Sequence, residues 1–189
     1  MPHATPWQTV GPYLSIGLTW LNTDDVAGEG VEGQRIAIEG LLVDGDGAPV
    51  PDGVIETWQA NAHGRYPHPG DTRAPPLEAD FNGFGRVPTD EQGNFRLRTI
   101  KPGRVPGADG RLQAPHLLVS VFARGILRRL STRIYFADEP SNADDAVLAQ
   151  VPAARRSTLI ARKERTTYRF NVVIQGEALG QGETVFFDI

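Results

Sequence analysis

The stretch Asn94-Phe-Arg-Leu-Arg-Thr-Ile100 alternates in character, with Phe95, Leu97 and Thr99 on one side and Arg96, Arg98 and Ile100 on the other. Successive side chains of a strand point to opposite faces, so this spacing predicts a half-buried β-strand. Working outward, the same period recurs. Arg35–Val43 places Ile36, Ile38 and Leu42 on one face with Gly40 between them. Residues 53–59 set Val54, Glu56 and Trp58 against Ile55, Thr57 and Gln59, and the pattern continues in 116–123, 131–136, 167–174 and 184–188. The turns between are legible. Asp44-Gly-Asp-Gly47 and Asp90-Glu-Gln-Gly93 supply side-chain turn bonds and positive φ. Short strands at this density predict a mostly β, antiparallel sandwich or barrel. Residues 68–88, rich in Pro, Gly and Asp, read as a long surface loop. Helix is scarce: residues 141–151 carry capping types and Asp144-Asp145 in the first turn, and Pro152 stops them.

The 189 residues suit one domain, and 40% hydrophobic content is enough for a core. With 19 basic and 23 acidic residues the net charge is −4, which argues against a general phosphate-backbone binder. The absence of cysteine removes disulfides, thiolate metal sites and Cys nucleophiles together. Met-Pro-His-Ala-Thr-Pro has neither a basic nor an apolar leader region, and no apolar run approaches the roughly 18 residues of a membrane span. A cytoplasmic chain is the expectation.

The residues able to carry chemistry are few. Histidines stand at 3, 63, 68 and 116, and tyrosines at 13, 66, 135 and 168. Asn61-Ala-His-Gly-Arg-Tyr-Pro-His68 is the densest cluster, and tyrosinate with imidazole suits Fe(III). A strand end and turn that merely contains His and Tyr is the plainer reading. In Gln113-Ala-Pro-His-Leu-Leu-Val-Ser-Val-Phe122, His116 offers an imidazole, but Leu118 on the same face offers nothing. A lone His on an apolar strand reads as a buried histidine bonded to backbone. Arg133 lies mid-strand among apolar neighbours and needs an anion, either an internal carboxylate or a ligand or partner. Trp7, Trp20 and Trp58 read as core or interface aromatics. Phosphate loop, nucleophile elbow and His-x-x-x-His are all missing.

Taken in order, several segments resemble one family. They are Thr5-Pro-Trp-Gln-Thr-Val-Gly-Pro-Tyr13, Trp58-Gln-Ala-Asn-Ala-His-Gly-Arg-Tyr66, Phe81-Asn-Gly-Phe-Gly-Arg86, Thr99-Ile-Lys-Pro-Gly103, Ala114-Pro-His-Leu-Leu-Val-Ser-Val-Phe-Ala-Arg-Gly125, Thr132-Arg-Ile-Tyr-Phe136 and Gly182-Glu-Thr-Val-Phe-Phe-Asp188. Together they resemble the intradiol ring-cleavage dioxygenases, whose catalytic chains hold non-haem Fe(III) through two tyrosines and two histidines. Tyr66 and His116 match one ligand of each kind. Val105 and Leu118 stand where the second tyrosine and the second histidine belong, and Gln113 replaces an arginine that the family places beside the substrate.

The resemblance therefore implies a supporting chain with vestigial ligand positions at Tyr66, Val105, His116 and Leu118, and no iron or catalytic residue of its own. It implies a transthyretin (prealbumin)-like sandwich spanning 1–189, with residues 1–30 as an N-terminal arm at a subunit interface. Fe(III) would belong to a catalytic beta partner in a hetero-oligomer, and Thr9, Gly11, Pro12 and Arg133 would line that partner's pocket. A Gly-Pro turn gives close backbone approach with a fixed shape, and an arginine attracts an anionic aromatic acid. The implied reaction cleaves 3,4-dihydroxybenzoate (protocatechuate) with O2 between its two oxygenated carbons to 3-carboxy-cis,cis-muconate, iron acting as a Lewis acid. Two other readings stay open: a non-enzymatic sandwich serving as a binding or scaffold module, and an independent metalloenzyme using Tyr66, His63, His68 and His116.

Overall fold

A computed structural model describes residues 4–188; His3 lies outside the described residues. Nine strands form one continuous ladder: β1 Arg35–Val43, β2 Val54–Trp58, β3 Phe84–Pro88, β4 Asn94–Ile100, β5 His116–Phe122, β6 Leu130–Phe136, β7 Ile160–Glu164, β8 Thr167–Arg169 and β9 Val172–Val173. Their order is β3-β2-β5-β6-β7-β8-β1-β4, with β9 beside β1. Two short α-helices, α1 Tyr13–Ile16 and α2 Ala146–Gln150, lie outside the ladder. Among the described residues, no helix is long and apolar enough to cross a membrane.

The expectation of a purely antiparallel sheet is corrected. β6 pairs with β7, and β1 with β8 and β9, in parallel. Parallel neighbours need a crossover connection, and residues 137–159 provide one between β6 and β7 with a 3-10 turn at Pro140–Asp144, helix α2 and a second 3-10 turn at Ala153–Leu159. The loop expected over 68–88 is shorter than its composition suggests. Its last five residues are β3, an edge strand in which Pro88 costs little because its outer side needs no ladder bond. The strand expected at 184–188 is reduced to one bridge, Ser131 to Phe187. The strand expected at 167–174 is cut in two, and at the break Asn171 Oδ1 accepts from Leu41 N at 3.1 Å.

The ladder nearly closes on itself. Its ends are β3 and β4, and residues 23–26 run between them. Thr23 exchanges both backbone bonds with Arg86 of β3, while Arg98 of β4 donates to Asp24 O and accepts from Val26 N. The edge groups that would template aggregation are thus paired within the chain.

Inside, the two halves of the ladder face each other over one core. Ile36, Ile38 and Leu42 of β1 and Phe95 and Leu97 of β4 meet Leu117, Val119 and Val121 of β5 and Ile134 and Phe136 of β6. Residues 116, 118, 133 and 135 alternate with these and therefore look out of the sandwich on its far side. There a second cluster of Ala114, Tyr135, Leu148, Val151 and Leu159 roofs the sheet with α2. Asp145, placed by sequence inside the first turn of a longer helix, is the N-cap of α2. It accepts from Val147 N at 3.0 Å and Leu148 N at 2.8 Å. Its carboxylate also accepts from Ala114 N at 2.8 Å and from the Tyr135 hydroxyl at 3.1 Å, with no solvent exposure. Removing it strands four donors, three of them buried. Asp145→Ala is expected to cost about 3 kcal/mol or more, read as a lower midpoint in urea unfolding.

Candidate functional site

The outward face of β2, β5 and β6 brings the expected positions together. Trp58, Leu118 and Arg133 lie in one row across the three strands, and His116 pairs with Tyr135 in the next. Tyr66 arrives from the loop after β2. Its ring stacks on Trp58 at 5.8 Å between centroids and 9° between planes, and Asp71 Oδ2 accepts from its backbone N at 2.8 Å.

Two glycines set this loop against the one carrying Val105. Gly64 has φ 77°, and an added Cβ would lie 2.0 Å from Arg104 O. A Cβ on Gly103 would lie 2.3 Å from Ala62 O, while Gly103 N donates to Asn61 O at 2.8 Å. Only bare backbones approach so closely. The result is a cleft of about 490 Å3 lined by Trp58, Tyr66, His68, Arg73, Val105 and Pro106 among others.

The charges at this centre are arranged around Arg133. Its Nη1 donates to Gln113 Oε1 at 2.6 Å and to the Tyr135 hydroxyl oxygen at 3.3 Å, and that hydroxyl donates onward to Asp145. The anion that a mid-strand arginine requires is therefore internal, one hydroxyl away. Burial raises the Tyr66 hydroxyl's pKa above its usual value, with Arg133 pulling the other way. Burial likewise raises Tyr135 against the same guanidinium. His116 is buried and its Nδ1 meets Ala114 O at 2.7 Å, the backbone partner expected of a core histidine. Burial first, then the Arg133 charge, depress its pKa to about 4.

The donor set is one phenol and one imidazole. Val105 is buried and, like Leu118, has no lone pair to offer. Ferric iron needs about three or four converging N, O or S ligands, so these residues do not fit it. The four-donor set of Tyr66, His63, His68 and His116 does not assemble. His63 Nε2 turns to Glu32 at 3.0 Å and Glu78 at 3.8 Å, and His68 Nδ1 accepts from Gly70 N at 3.0 Å.

The wall expected to line a partner's pocket is represented here by two places along β5. Thr9 sits at the β5–β6 turn, where its Oγ1 accepts from Gly125 N at 2.9 Å, and Gly11 and Pro12 lead from it into α1. Arg133 points to the opposite end of β5, toward Gln113. Trp7 and Trp20 are exposed and so form no part of the core. The role of Tyr135 and Asp145 was not foreseen. The signal was the Arg133–Tyr135 spacing, which puts both side chains on one strand face.

The family profile described as Dioxygenase matches residues 18–176. The chain belongs to the intradiol dioxygenase family. It is 42% identical over 202 residues to the protocatechuate 3,4-dioxygenase alpha chain of Burkholderia cepacia, covering 98% of this chain and 97% of that one. It is also 37% identical over 154 residues to the protocatechuate 3,4-dioxygenase beta chain of the same organism, covering 76% and 66%. Among solved structures, the dioxygenase domain of a carbohydrate-binding fusion from Streptomyces sp. SirexAA-E aligns with TM-score 0.61 at 26% identity, over 80% of this chain and 86% of that one. Catechol 1,2-dioxygenase from Acinetobacter sp. ADP1 shares the fold, with TM-score 0.63 at 23% identity over 87% and 60%.

His116 makes stability depend on pH. It titrates near 6.5 when unfolded and about 4 when folded, so the unfolded chain takes up its proton first as pH falls. The contribution is full above pH 6.5 and is lost on descending to about 4, amounting to about 3 kcal/mol. His116→Gln is expected to flatten that limb of the stability–pH curve in urea titrations.

Proposed function

We propose that this chain is the supporting alpha chain of a two-chain protocatechuate 3,4-dioxygenase. It would complete the pocket of a beta chain that holds the Fe(III) and cleaves protocatechuate to 3-carboxy-cis,cis-muconate. The observation that carries this reading is the pair of aliphatic residues, Val105 and Leu118, at two of four donor positions, in a chain 42% identical to such alpha chains along nearly its whole length. The partner's iron supplies Lewis acidity toward the catechol oxygens. This chain's residues wall the site, exclude water and orient the ring.

The N-terminal segment supports that role. Trp7, Tyr13, Ile16 and Trp20 are each more than two-thirds exposed, an apolar display that suits a subunit interface. Arg128 lies 4.8 Å over the Trp7 ring and Thr9 holds Gly125, so the arm is anchored to the β5–β6 turn and presents Gly11 and Pro12 beyond it. We assign residues 1–30 to the interface and Thr9, Gly11 and Pro12 to the partner's pocket wall. Arg133, expected on the same wall, turns within this chain to Gln113 and the Tyr135 hydroxyl. The rest of the reading is a single transthyretin-like sandwich domain in a cytoplasmic hetero-oligomer. The ladder and the shared fold support the sandwich, and similarity to both alpha and beta chains supports the hetero-oligomer.

Purified alone, the chain is expected to carry less than about a tenth of an equivalent of iron, since two donors do not hold it. Co-expressed with a beta chain, it should yield one Fe(III) per pair and protocatechuate-dependent oxygen uptake. Stoichiometric iron with tyrosinate colour in the single chain would refute the reading, and failure to co-purify with any iron-bearing relative would favour a scaffold module. In the assembled enzyme, Thr9→Ala is expected to raise KM for protocatechuate about threefold with kcat little changed, the pattern of lost positioning that is uniform between ground and transition states.

A further inference from the structure

We infer that the Arg133 guanidinium has taken over the position and charge of a metal in this chain's centre, so that restoring the missing donors alone does not restore metal binding. The inference rests on reading Tyr66, Val105, His116 and Leu118 as former ligand positions. It goes further in naming what now occupies the space between them.

Strand register and hydrogen bonds set the guanidinium among residues that neighbour these positions. Leu118 is the direct strand partner of Arg133. His116 is the strand partner of Tyr135, their rings 5.7 Å apart, and the Tyr135 hydroxyl lies 3.3 Å from Arg133 Nη1. Val105 is reached through Gln113, which holds Nη1 with its side chain at 2.6 Å and donates its backbone N to Val105 O at 2.8 Å. Tyr66 feels the same charge from the loop side, stacked on Trp58 in the row that contains Leu118 and Arg133. Each of the four positions is thus linked to the guanidinium through the strand register, one intervening residue or its electrostatic field.

The centre is also electrically complete without a metal. Arg133 is balanced by Asp145 through the shared Tyr135 hydroxyl. Asp145 is in turn held by Ala114 N, two residues before His116. A metal ion entering here would meet a fixed guanidinium, which cannot shed its proton to make room. The two positive charges would repel each other strongly in so little water. On this reading the loss of two donors removes the hold on iron, and the guanidinium keeps donors alone from restoring it.

The test uses the full-length chain carrying Val105→Tyr and Leu118→His, with and without Arg133→Gln, after exposure to ferric iron. Elemental analysis and tyrosinate-to-iron visible absorption are the readouts, with circular dichroism to confirm folding. If the chain is obtained only with its partner, the readout is a second iron per pair. The double variant is expected to stay nearly iron-free, and adding Arg133→Gln should raise loading about tenfold or more as the repelling charge is removed. Arg133→Lys in the same background should leave it iron-free. Equal loading of folded double and triple variants, whether full or nil, would overturn the inference. Should the triple variant not fold, the single Arg133→Gln change is expected to tighten Cu2+ binding at the retained Tyr66–His116 pair about tenfold, measured by equilibrium dialysis. Unchanged Cu2+ affinity would overturn it equally. Failure of the functional reading would show differently, as ferric iron in the unaltered chain.

Discussion

Leu117, Val119 and Val121 fill the sandwich from one face of β5 while His116 and Leu118 look out of the other, and the structure turns on this double burial. A slip of one residue would push imidazole into the apolar core and leave leucines under the loops. The register against β2 and β6 is held from both sides. Trp58, Leu118 and Arg133 consequently form one row, with His116 and Tyr135 beside it. Everything at the centre, from the stacking of Tyr66 to the reach of Arg133, follows from that row.

Asp145 ties the row to the rest of the chain. One carboxylate caps α2, holds the strand entry at Ala114 and receives the Tyr135 hydroxyl. The helix, the start of β5 and the charge at Arg133 are thereby coupled through one buried group. The centre of this chain holds a guanidinium and a carboxylate joined by a phenol. Buried charge is tolerable when it is hydrogen-bonded, and the Asp145 carboxylate accepts four such bonds.

Local pattern revealed much of the fold. β1, β4, β5 and β6 follow directly from period-2 alternation, because each has one face in the core and Arg, Glu or Ser on the other. The failures share a cause. β3 hid behind Gly85 and Pro88, which read as loop but are tolerated at an edge. β7 hid behind Arg162, Lys163 and Glu164, three consecutive charges that lie along a strand with little of its surface buried. The parallel pairings were invisible because they join segments that only a crossover brings together. Residues 23–26 carry no strand pattern at all, yet they pair with both ends of the ladder through backbone atoms whose partners no side chain encodes.

At the centre the division is sharp. Chemistry at a position is a property of the residue alone. That Val105 and Leu118 have no donor atoms, and that Tyr66 and His116 do, was therefore decided by the sequence by itself. Where a long side chain goes is a property of its surroundings. Arg133 can extend toward either end of its strand, and the sequence is compatible with both. Only the tertiary structure sends it to Gln113 and Tyr135, because the anion that balances it, Asp145, sits at the head of a helix that folding lays across that end of the sheet.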